Sequence, residues 1–328
     1  MIVITGGAGF IGSNLVAGLE ERGIKELIVC DTLGHGDKWR NIAKHELADI
    51  VPPERLLEYV TARRTRIEAI FHLGAVSSTT EPDADLIIRS NFTLSMALWD
   101  FCASNAVRLI YASSAATYGD GSAGFDDDAS IKALKRLRPL NAYGWSKHLF
   151  DRRVARFIAE RGAVPPQCAG LKFFNVYGPN EYHKGSMRSV VATNFAAVRD
   201  GGAVKLFKSY RSGIADGWQK RDFIWVSDCV DIMLWLYDTP HVSGLFNCGT
   251  GEARSFHDLI AALFRALNRK PSIDYIEMPE GLRERYQYFT EARVTRLRDA
   301  GYDTPFTPIE QGVARYVTDY LTAKDPYR

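Results

Sequence analysis

Tyr143-Gly144-Trp145-Ser146-Lys147 sets a phenol and an ammonium at positions i and i+4, where two side chains share one helix face, one turn apart. Such a pair can move a proton. A tyrosine titrating near ~10 is a poor base at neutral pH, but a neighbouring ammonium or a cationic nicotinamide favours its phenolate. Lys147 then has two tasks, activating Tyr143 and holding a cofactor ribose. Ser114, in Ser113-Ser114-Ala115-Ala116-Thr117-Tyr118, follows an apolar run at 109–112. Strand carboxyl ends are where an open α/β sheet presents its site, so Ser114 is placed to hydrogen-bond a reacting hydroxyl.

A Tyr-x-x-x-Lys spacing is common on amphipathic helices and gains weight only from its context. That context is Thr5-Gly6-Gly7-Ala8-Gly9-Phe10-Ile11-Gly12, between the apolar run 2–4 and an amphipathic run at 13–22. Gly6 and Gly7 permit a tight turn, Gly9 lets a pyrophosphate approach the main chain, and Gly12 lets helix and strand pack closely. The helix N-terminus then faces the anion. An acid, Asp31, follows about 20 residues later, as a dinucleotide fingerprint requires.

The elements that must position these groups show as alternating patterns. Residues 2–4, 27–30, 69–72, 109–112 and 168–174 read as strands, and 13–22, 83–104 and 143–161 as helices. Such alternation predicts an α/β fold, a Rossmann-type doubly wound parallel sheet. Beyond about Gly178 the pattern loosens into strands at 204–207, 223–226 and 273–276 and helices at 190–199, 228–237, 256–267 and 309–321, a smaller C-terminal α/β substrate lobe. The expected division is a dinucleotide-binding domain over 1–178, with 221–250 returning to it, and a substrate lobe over 179–328.

Composition bounds the function. The chain has 328 residues, 46% of them hydrophobic, and a net charge of +2, enough to bury a full core and without the basic footprint of a nucleic-acid or membrane-surface binder. No run approaches the ~20 apolar residues of a membrane span and no leader pattern opens the chain, so a cytoplasmic location is expected. Its five cysteines, Cys30, Cys102, Cys168, Cys229 and Cys248, are scattered, which fits buried thiols better than disulfides or zinc. His72 closes an apolar strand and reads as a core histidine, and no metal site is expected. The acids 126–128 and the charged stretch 132–138 read as solvated surface without chemistry. The segment 209–219 is either a mobile lid or a long surface loop.

Further segments sharpen the picture: Ser77-Ser78-Thr79-Thr80-Glu81, Tyr111-Ala112-Ser113-Ser114-Ala115-Ala116-Thr117-Tyr118-Gly119, Phe174-Asn175-Val176-Tyr177-Gly178-Pro179, His183-Lys184-Gly185-Ser186-Met187, and Tyr286-Gln287 before Phe289-Thr290. With the glycine turn and the Tyr143/Lys147 pair they resemble the nucleotide-sugar epimerases of the extended short-chain dehydrogenase/reductase family, from Met1 to beyond Tyr316. The resemblance implies that NADP removes hydride from the exocyclic C6 of ADP-D-glycero-D-manno-heptose and that the C6 ketone is reduced again from its other face. It makes Tyr143 one acid/base and Lys184 the other, with Ser114 and Lys147 completing the catalytic set. By the same resemblance Gly6, Gly9, Phe10, Ile11, Gly12, Asp31, Thr32, Lys38 and Asp49 hold the cofactor, as do Leu73, Gly74, Ala75, Val76, Ser77, Asn91, Val176 and Lys184 together with Tyr143 and Lys147. Ser78, Ser114, Asn175, Ser186, Phe207, Arg221 and Tyr286 hold the substrate, with Val176 also against it. Arg221 is a diphosphate clamp, or else the structural partner of Asp222.

The resemblance also implies a homo-oligomer, a pentamer being one form, and a product destined for the lipopolysaccharide inner core, hence a Gram-negative source. Asp31 ordinarily binds a ribose 2′-hydroxyl and favours NAD, so NAD stays open beside NADP; Lys38 supplies positive charge for a 2′-phosphate, while Pro53 stands where the family pattern has a second lysine. The loop 209–219 is longer than that pattern. A nucleotide-sugar 4-epimerase of the same fold would share Ser114, Tyr143 and Lys147, and only the motifs around Lys184 and Tyr286 speak against it. A dehydratase needs an acid beside the serine, where Ala115 and Ala116 supply none. A protein that only binds dinucleotide would commonly lose part of the Ser/Tyr/Lys set, which is intact here.

Overall fold

The apolar runs become strands covered on both faces, which is why they read as continuous rather than alternating. A computed structural model describes residues 1–283 and 286–328. In chain order the strands are β1 (Ile2–Thr5), β2 (Leu27–Cys30), β3 (Asp49–Val51), β4 (Ala69–His72), β5 (Arg108–Ser114), β6 (Cys168–Phe173), β7 (Asn175–Tyr177), β8 (Val204–Phe207), β9 (Lys220–Trp225), β10 (Gly244–Cys248), β11 (Ala253–Ser255) and β12 (Ile273–Ile276). Seven of them form one sheet in the order β10-β6-β5-β4-β1-β2-β3, and every pairing within it is parallel. This is the expected Rossmann-type doubly wound α/β sheet. Beyond it lie a three-stranded sheet, β11-β9-β7, and the pair β12-β8.

Successive residues of β1 serve opposite cores. Ile2 and Ile4 join Leu27, Val29 and Phe71 under helices α1 (Phe10–Glu21) and, later in the chain, Val226–Asp238. Val3 joins Ile28, Ile70, Leu109 and Tyr111 on the other face, under α2 (Leu94–Asn105) and α3 (Ala142–Ala159). Each such aliphatic side chain contributes about 1.5–3 kcal/mol on burial. A third cluster, around Tyr177, Phe195, Phe223, Trp225 and Leu263, is built from β7, β8, β9 and the helices Val190–Arg199 and Phe256–Ala266. All five cysteines are free and buried, and no described helix is long and apolar enough to cross a membrane.

Several boundaries differ from the sequence pattern. α1 begins at Phe10 rather than 13, straight off Gly9 and with no side-chain cap, so its first N–H groups remain open to an anion. The run read as a single helix at 83–104 is a short helix, a π segment at Ile88–Thr93 and then α2; the residues of the π turn carry the same apolar spacing, so periodicity alone does not reveal it. β3 and β7 were not anticipated, being three residues each with exposed positions that give no apolar run.

Helix α1 can lie against the turn because position 12 has no side chain. A Cβ there would meet the carbonyl oxygen of Gly6, backbone that cannot swing aside. Gly12→Ala is therefore expected to lower folding stability by about 1–3 kcal/mol, the usual scale of overpacking, seen as a lower urea midpoint; an unchanged midpoint would show that turn and helix do not close this tightly.

Candidate active site

Two backbones meet at the head of the glycine turn. Gly6 has φ 68°, and a Cβ on it would lie 2.7 Å from Gly74 Cα. β1 and β4 are neighbours here, and the strand order runs outward from them in opposite directions, the place where such sheets bind ligands. Asn41 ties the turn down by donating from Nδ2 to Ala8 O at 2.9 Å and to Asn180 O at 3.0 Å. The open amides of Phe10 and Ile11 then form a concave cradle that suits a dinucleotide pyrophosphate.

Asp31 lies beside that turn. Its Oδ2 accepts from Ala8 N at 2.9 Å, while Oδ1 accepts from Thr32 N at 2.7 Å and from Lys38 Nζ at 2.5 Å; Lys38 also donates to Thr32 O. The carboxylate is thus largely occupied and its charge offset. Past β4, Leu73, Gly74, Ala75 and Val76 are half-buried, with Gly74 N donating to Thr5 Oγ1 at 3.0 Å. Asn91, fully buried in the π turn, exchanges two hydrogen bonds with Val76 and donates to Ser146 Oγ. It therefore holds the post-β4 segment against α3. Asp49 is exposed on β3 and borders a cavity of about 200 Å³ with Val51, Arg55 and Tyr59.

α3 carries Tyr143 and Lys147, one turn apart. Asn141 caps it by accepting from Gly144 N at 2.8 Å, and a Cβ on Gly144 would lie 2.7 Å from Ala116 O, so the helix start sits hard against the turn after β5. Tyr143 and Ser114 meet there. Burial pushes the Tyr143 phenol above its ordinary value, with the Ser114 side chain opposing by hydrogen bonding. The protein alone thus favours neutral phenol, where sequence reasoning expected Lys147 to favour phenolate. Lys147 is itself buried, and loss of water lowers its ammonium to about 8 against the opposing pull of Asp151.

His72 is confirmed as a core residue. Gly74 N–H donates to Thr5 Oγ1, Thr5 donates to His72 Nδ1 at 2.7 Å, His72 Nε2–H donates to Ser95 Oγ at 2.8 Å, and Ser95 donates to Asn91 O at 2.6 Å. Only a neutral Nε2–H imidazole satisfies that order, in accord with burial lowering its pKa to about 3.

Lys184 reaches the glycine turn from a different direction. The loop after β7 docks on α1 through Asn14 Nδ2 to Pro179 O and Asn180 Nδ2 to Ser13 Oγ, both 3.0 Å, which brings the Lys184 ammonium over the Phe10 ring at 5.2 Å. Burial lowers its pKa, with the Glu181 carboxylate opposing. His183 next to it is held neutral, lowered to about 4 by burial and by the charges of Lys38 and Lys184.

A third group is centred on β9, in the three-stranded sheet. Arg221 is buried, its guanidinium 5.2 Å from the Tyr286 ring centroid, and Tyr286 meets Phe207 edge-on at 6.3 Å. The pairing of Arg221 with Asp222 does not occur. Asp222 instead accepts four bonds, from Thr250 N, Thr250 Oγ1, Gly251 N and Ala292 N. Among the described residues Arg221 bonds only the carbonyl of Lys220, at 2.8 Å. A buried guanidinium without a carboxylate suits an incoming anion such as a diphosphate.

The remaining substrate candidates are less engaged: Asn175 and Ser186 are exposed, Val176 is half-buried, and Ser78 pairs with Thr80 at 3.0 Å. Asp127 corrects the surface reading of 126–128. It is fully buried, accepts from Asn247 N at 2.7 Å, and burial raises its pKa to about 6. The segment 209–219 is strapped down rather than free, through Asp216 Oδ1 to Ser209 N at 2.7 Å, Tyr210 N to Tyr288 OH at 3.1 Å and Gly217 N to Phe207 O at 3.1 Å. Sequence reasoning missed the buried pair Asp151–Lys172, although a lysine inside an apolar strand and an acid one turn past Lys147 are both visible signals.

Residues 2–249 match the NAD dependent epimerase/dehydratase family. The chain is 48% identical over 329 residues to the ADP-L-glycero-D-manno-heptose-6-epimerase of Nitratidesulfovibrio vulgaris, covering 100% of both, and 47% identical to that of Fusobacterium nucleatum, again over 100% of both. Among solved structures, the ADP-L-glycero-D-manno-heptose-6-epimerase of Helicobacter pylori superposes with a TM-score of 0.77 at 27% identity, over 98% of this chain and 96% of that one.

The isolated Arg221 guanidinium yields a signed expectation. Arg221→Met removes a buried charge that has no carboxylate partner among the described residues, so the melting temperature of the ligand-free protein should hold or rise, while affinity for ADP or pyrophosphate should fall about tenfold or more, the worth of a charged hydrogen bond. Calorimetry on both variants checks this; a lower melting temperature with unchanged ADP affinity would make Arg221 purely structural.

Proposed function

The chain belongs to the NAD dependent epimerase/dehydratase family and, within it, to the ADP-L-glycero-D-manno-heptose-6-epimerases, and from that premise we propose that it interconverts ADP-D-glycero-D-manno-heptose and ADP-L-glycero-D-manno-heptose at C6 through a 6-keto intermediate. The observation that carries the reading is that two acid/base groups flank the glycine turn and the start of α3, Lys184 over the Phe10 ring at 5.2 Å and Tyr143 beside Ser114, with burial raising the phenol and lowering the amine. Environments that separate two titrations in this way assign acid and base. The raised phenol suits giving a proton to the ketone oxygen, and the lowered amine suits taking one from a hydroxyl. Inverting a carbon requires the ketone to be presented in two orientations, and one side chain is poorly placed to reach its oxygen in both.

In this reading Ser114 orients the C6 oxygen beside Tyr143, Lys147 holds the nicotinamide ribose, and Arg221 with Phe207 and Tyr286 grips the ADP end. The dinucleotide, held by Gly6–Gly12, Asp31, Lys38 and the segment 73–77, supplies the hydride acceptor and donor, with no net redox change. NADP is the proposed form: Asp31 already accepts three hydrogen bonds, one of them from Lys38, which leaves little capacity for a ribose 2′-hydroxyl, and the Lys38 ammonium would suit a 2′-phosphate. The proposed setting is a cytoplasmic homo-oligomer.

Two measurements test this. The purified protein with ADP-D-glycero-D-manno-heptose and catalytic NADP⁺, followed by NMR at C6, should reach a mixture of both epimers; turnover of UDP-hexoses in its place would establish a 4-epimerase. Tyr143→Phe and Lys184→Met should each lower kcat by about 10²–10⁴, the range for a positioned acid or base, and full activity in Lys184→Met beside loss in Tyr143→Phe would break the two-group assignment. Lys38→Ala should move the ratio of NADP⁺ to NAD⁺ affinity toward NAD⁺, and an unchanged ratio would remove Lys38 from the 2′ site.

A further inference from the structure

Lys147 is not the only buried ion of its helix. One turn further along α3, Asp151 faces Lys172 of β6, Oδ2 to Nζ 3.2 Å, with both side chains at 0% exposure. β5 grips the same carboxylate: Ser113 donates to Oδ2 at 2.7 Å and Tyr111 to Oδ1 at 3.3 Å. Lys172 in turn donates to Thr117 Oγ1 at 2.5 Å and lies 4.6 Å from the Tyr118 ring centroid, and Thr117 donates to the carbonyl of Ser114 at 2.8 Å. Five side chains thus lock the helix of Tyr143 and Lys147 to the turn that carries Ser114.

A buried ion pair is a weak source of net stability, because taking both charges out of water offsets their attraction. Its retention here, one helical turn from Lys147, has a different explanation. We propose that Asp151 is a positioning residue for Lys147: anchored to β5 and β6, it fixes the depth and rotation of α3 at the site and supplies the negative charge that keeps the Lys147 side chain an ammonium where it holds the cofactor. This rests on the reading of Lys147 as the partner of Tyr143 and of the dinucleotide ribose.

The other titratable groups around Lys147 leave Asp151 as the source of that charge. His72 of β4 is neutral, lowered to about 3 by burial. His148, next to Lys147 on α3, is lowered to about 4 by burial, and Tyr143 is raised by burial. Lys172, whose own ammonium burial disfavours, is partnered by Asp151. Burial lowers Lys147 to about 8 and Asp151 opposes that shift, so removing the carboxylate moves the ammonium's loss to lower pH.

The test compares parent, Asp151→Asn, Asp151→Glu and the double variant Asp151→Asn with Lys172→Met, measuring the pH dependence both of kcat and of NADP⁺ dissociation by fluorescence titration. In Asp151→Asn and in the double variant the alkaline limb of both profiles should move about one unit or more toward acid, the scale of losing a nearby opposite charge, while Asp151→Glu should keep the parent's limb. The double variant removes the Lys172 charge together with its partner's and leaves Lys147 as the one ion of the group whose countercharge is lost, so it decides the matter if Asp151→Asn does not fold. Profiles that coincide with the parent's, with activity and affinity lowered equally at every pH, would reduce Asp151 to a packing role and overturn the proposal. A parent that binds NADP⁺ but epimerises no ADP-heptose would remove the epimerase reading, and the NADP⁺ titrations would still decide Asp151.

Discussion

Everything at the site hangs on the approach of two main chains, Gly6 at the end of β1 and Gly74 just past β4, so close that a methyl group on Gly6 would lie 2.7 Å from Gly74 Cα. The central strands can end side by side only because neither position carries a side chain. That closeness lets Thr5 bond both Gly74 and His72, and it aligns the turn in front of α1 with the segment 73–77. The crevice that results is a property of strand order. Helices pack on opposite faces to either side of β1 and β4, so neither covers the strand ends.

The second organising fact is how the buried cations are treated. Lys172 is paired directly with Asp151, Lys147 feels the same carboxylate from one turn away, and the burial of Lys184 is offset in part by Glu181, itself held by Ser189 and Tyr316. Each arrangement leaves a different residual. A direct pair bonded on several sides immobilises a charge, whereas a carboxylate that acts from one turn away leaves the Lys147 side chain free for another partner. That contrast in contacts separates the structural lysine from the lysine proposed to hold the cofactor.

Much of the fold was legible because the strands are buried on both faces. Runs such as 2–4 and 27–30 are apolar throughout and 69–72 is apolar up to its closing histidine, and the strands begin where these runs begin. The glycine turn was legible because backbone geometry leaves no other residue at Gly12, and the Tyr143/Lys147 pair because i, i+4 spacing is a fixed property of a helix. What escaped lacked a local signal. Asp127 reads as one of three consecutive acids, yet it is buried because Asn247, 120 residues away, donates its backbone N–H to it. The π turn at Ile88–Thr93 carries Asn91, which bridges Val76 and Ser146, partners 15 and 55 residues away.

The contrast between Arg221 and Asp222 shows how a group proposed to bind substrate is kept clear of a neighbouring acid inside a core. Neighbours on one strand place their side chains on opposite sides of the sheet, so the two oppositely charged residues point apart. Asp222 turns toward the chain segments at 250–251 and 292 and is consumed by four hydrogen bonds that fasten them, which keeps its carboxylate from the one guanidinium it would otherwise neutralise. Arg221 faces Phe256 and Tyr286 instead, where ring faces offer partial stabilisation at 5.6 and 5.2 Å but, among the described residues, no full countercharge. Strand alternation thus lets the acid hold the lobe together while the base is kept in reserve, and a buried cation kept in reserve is stabilised most by a ligand that brings its own negative charge.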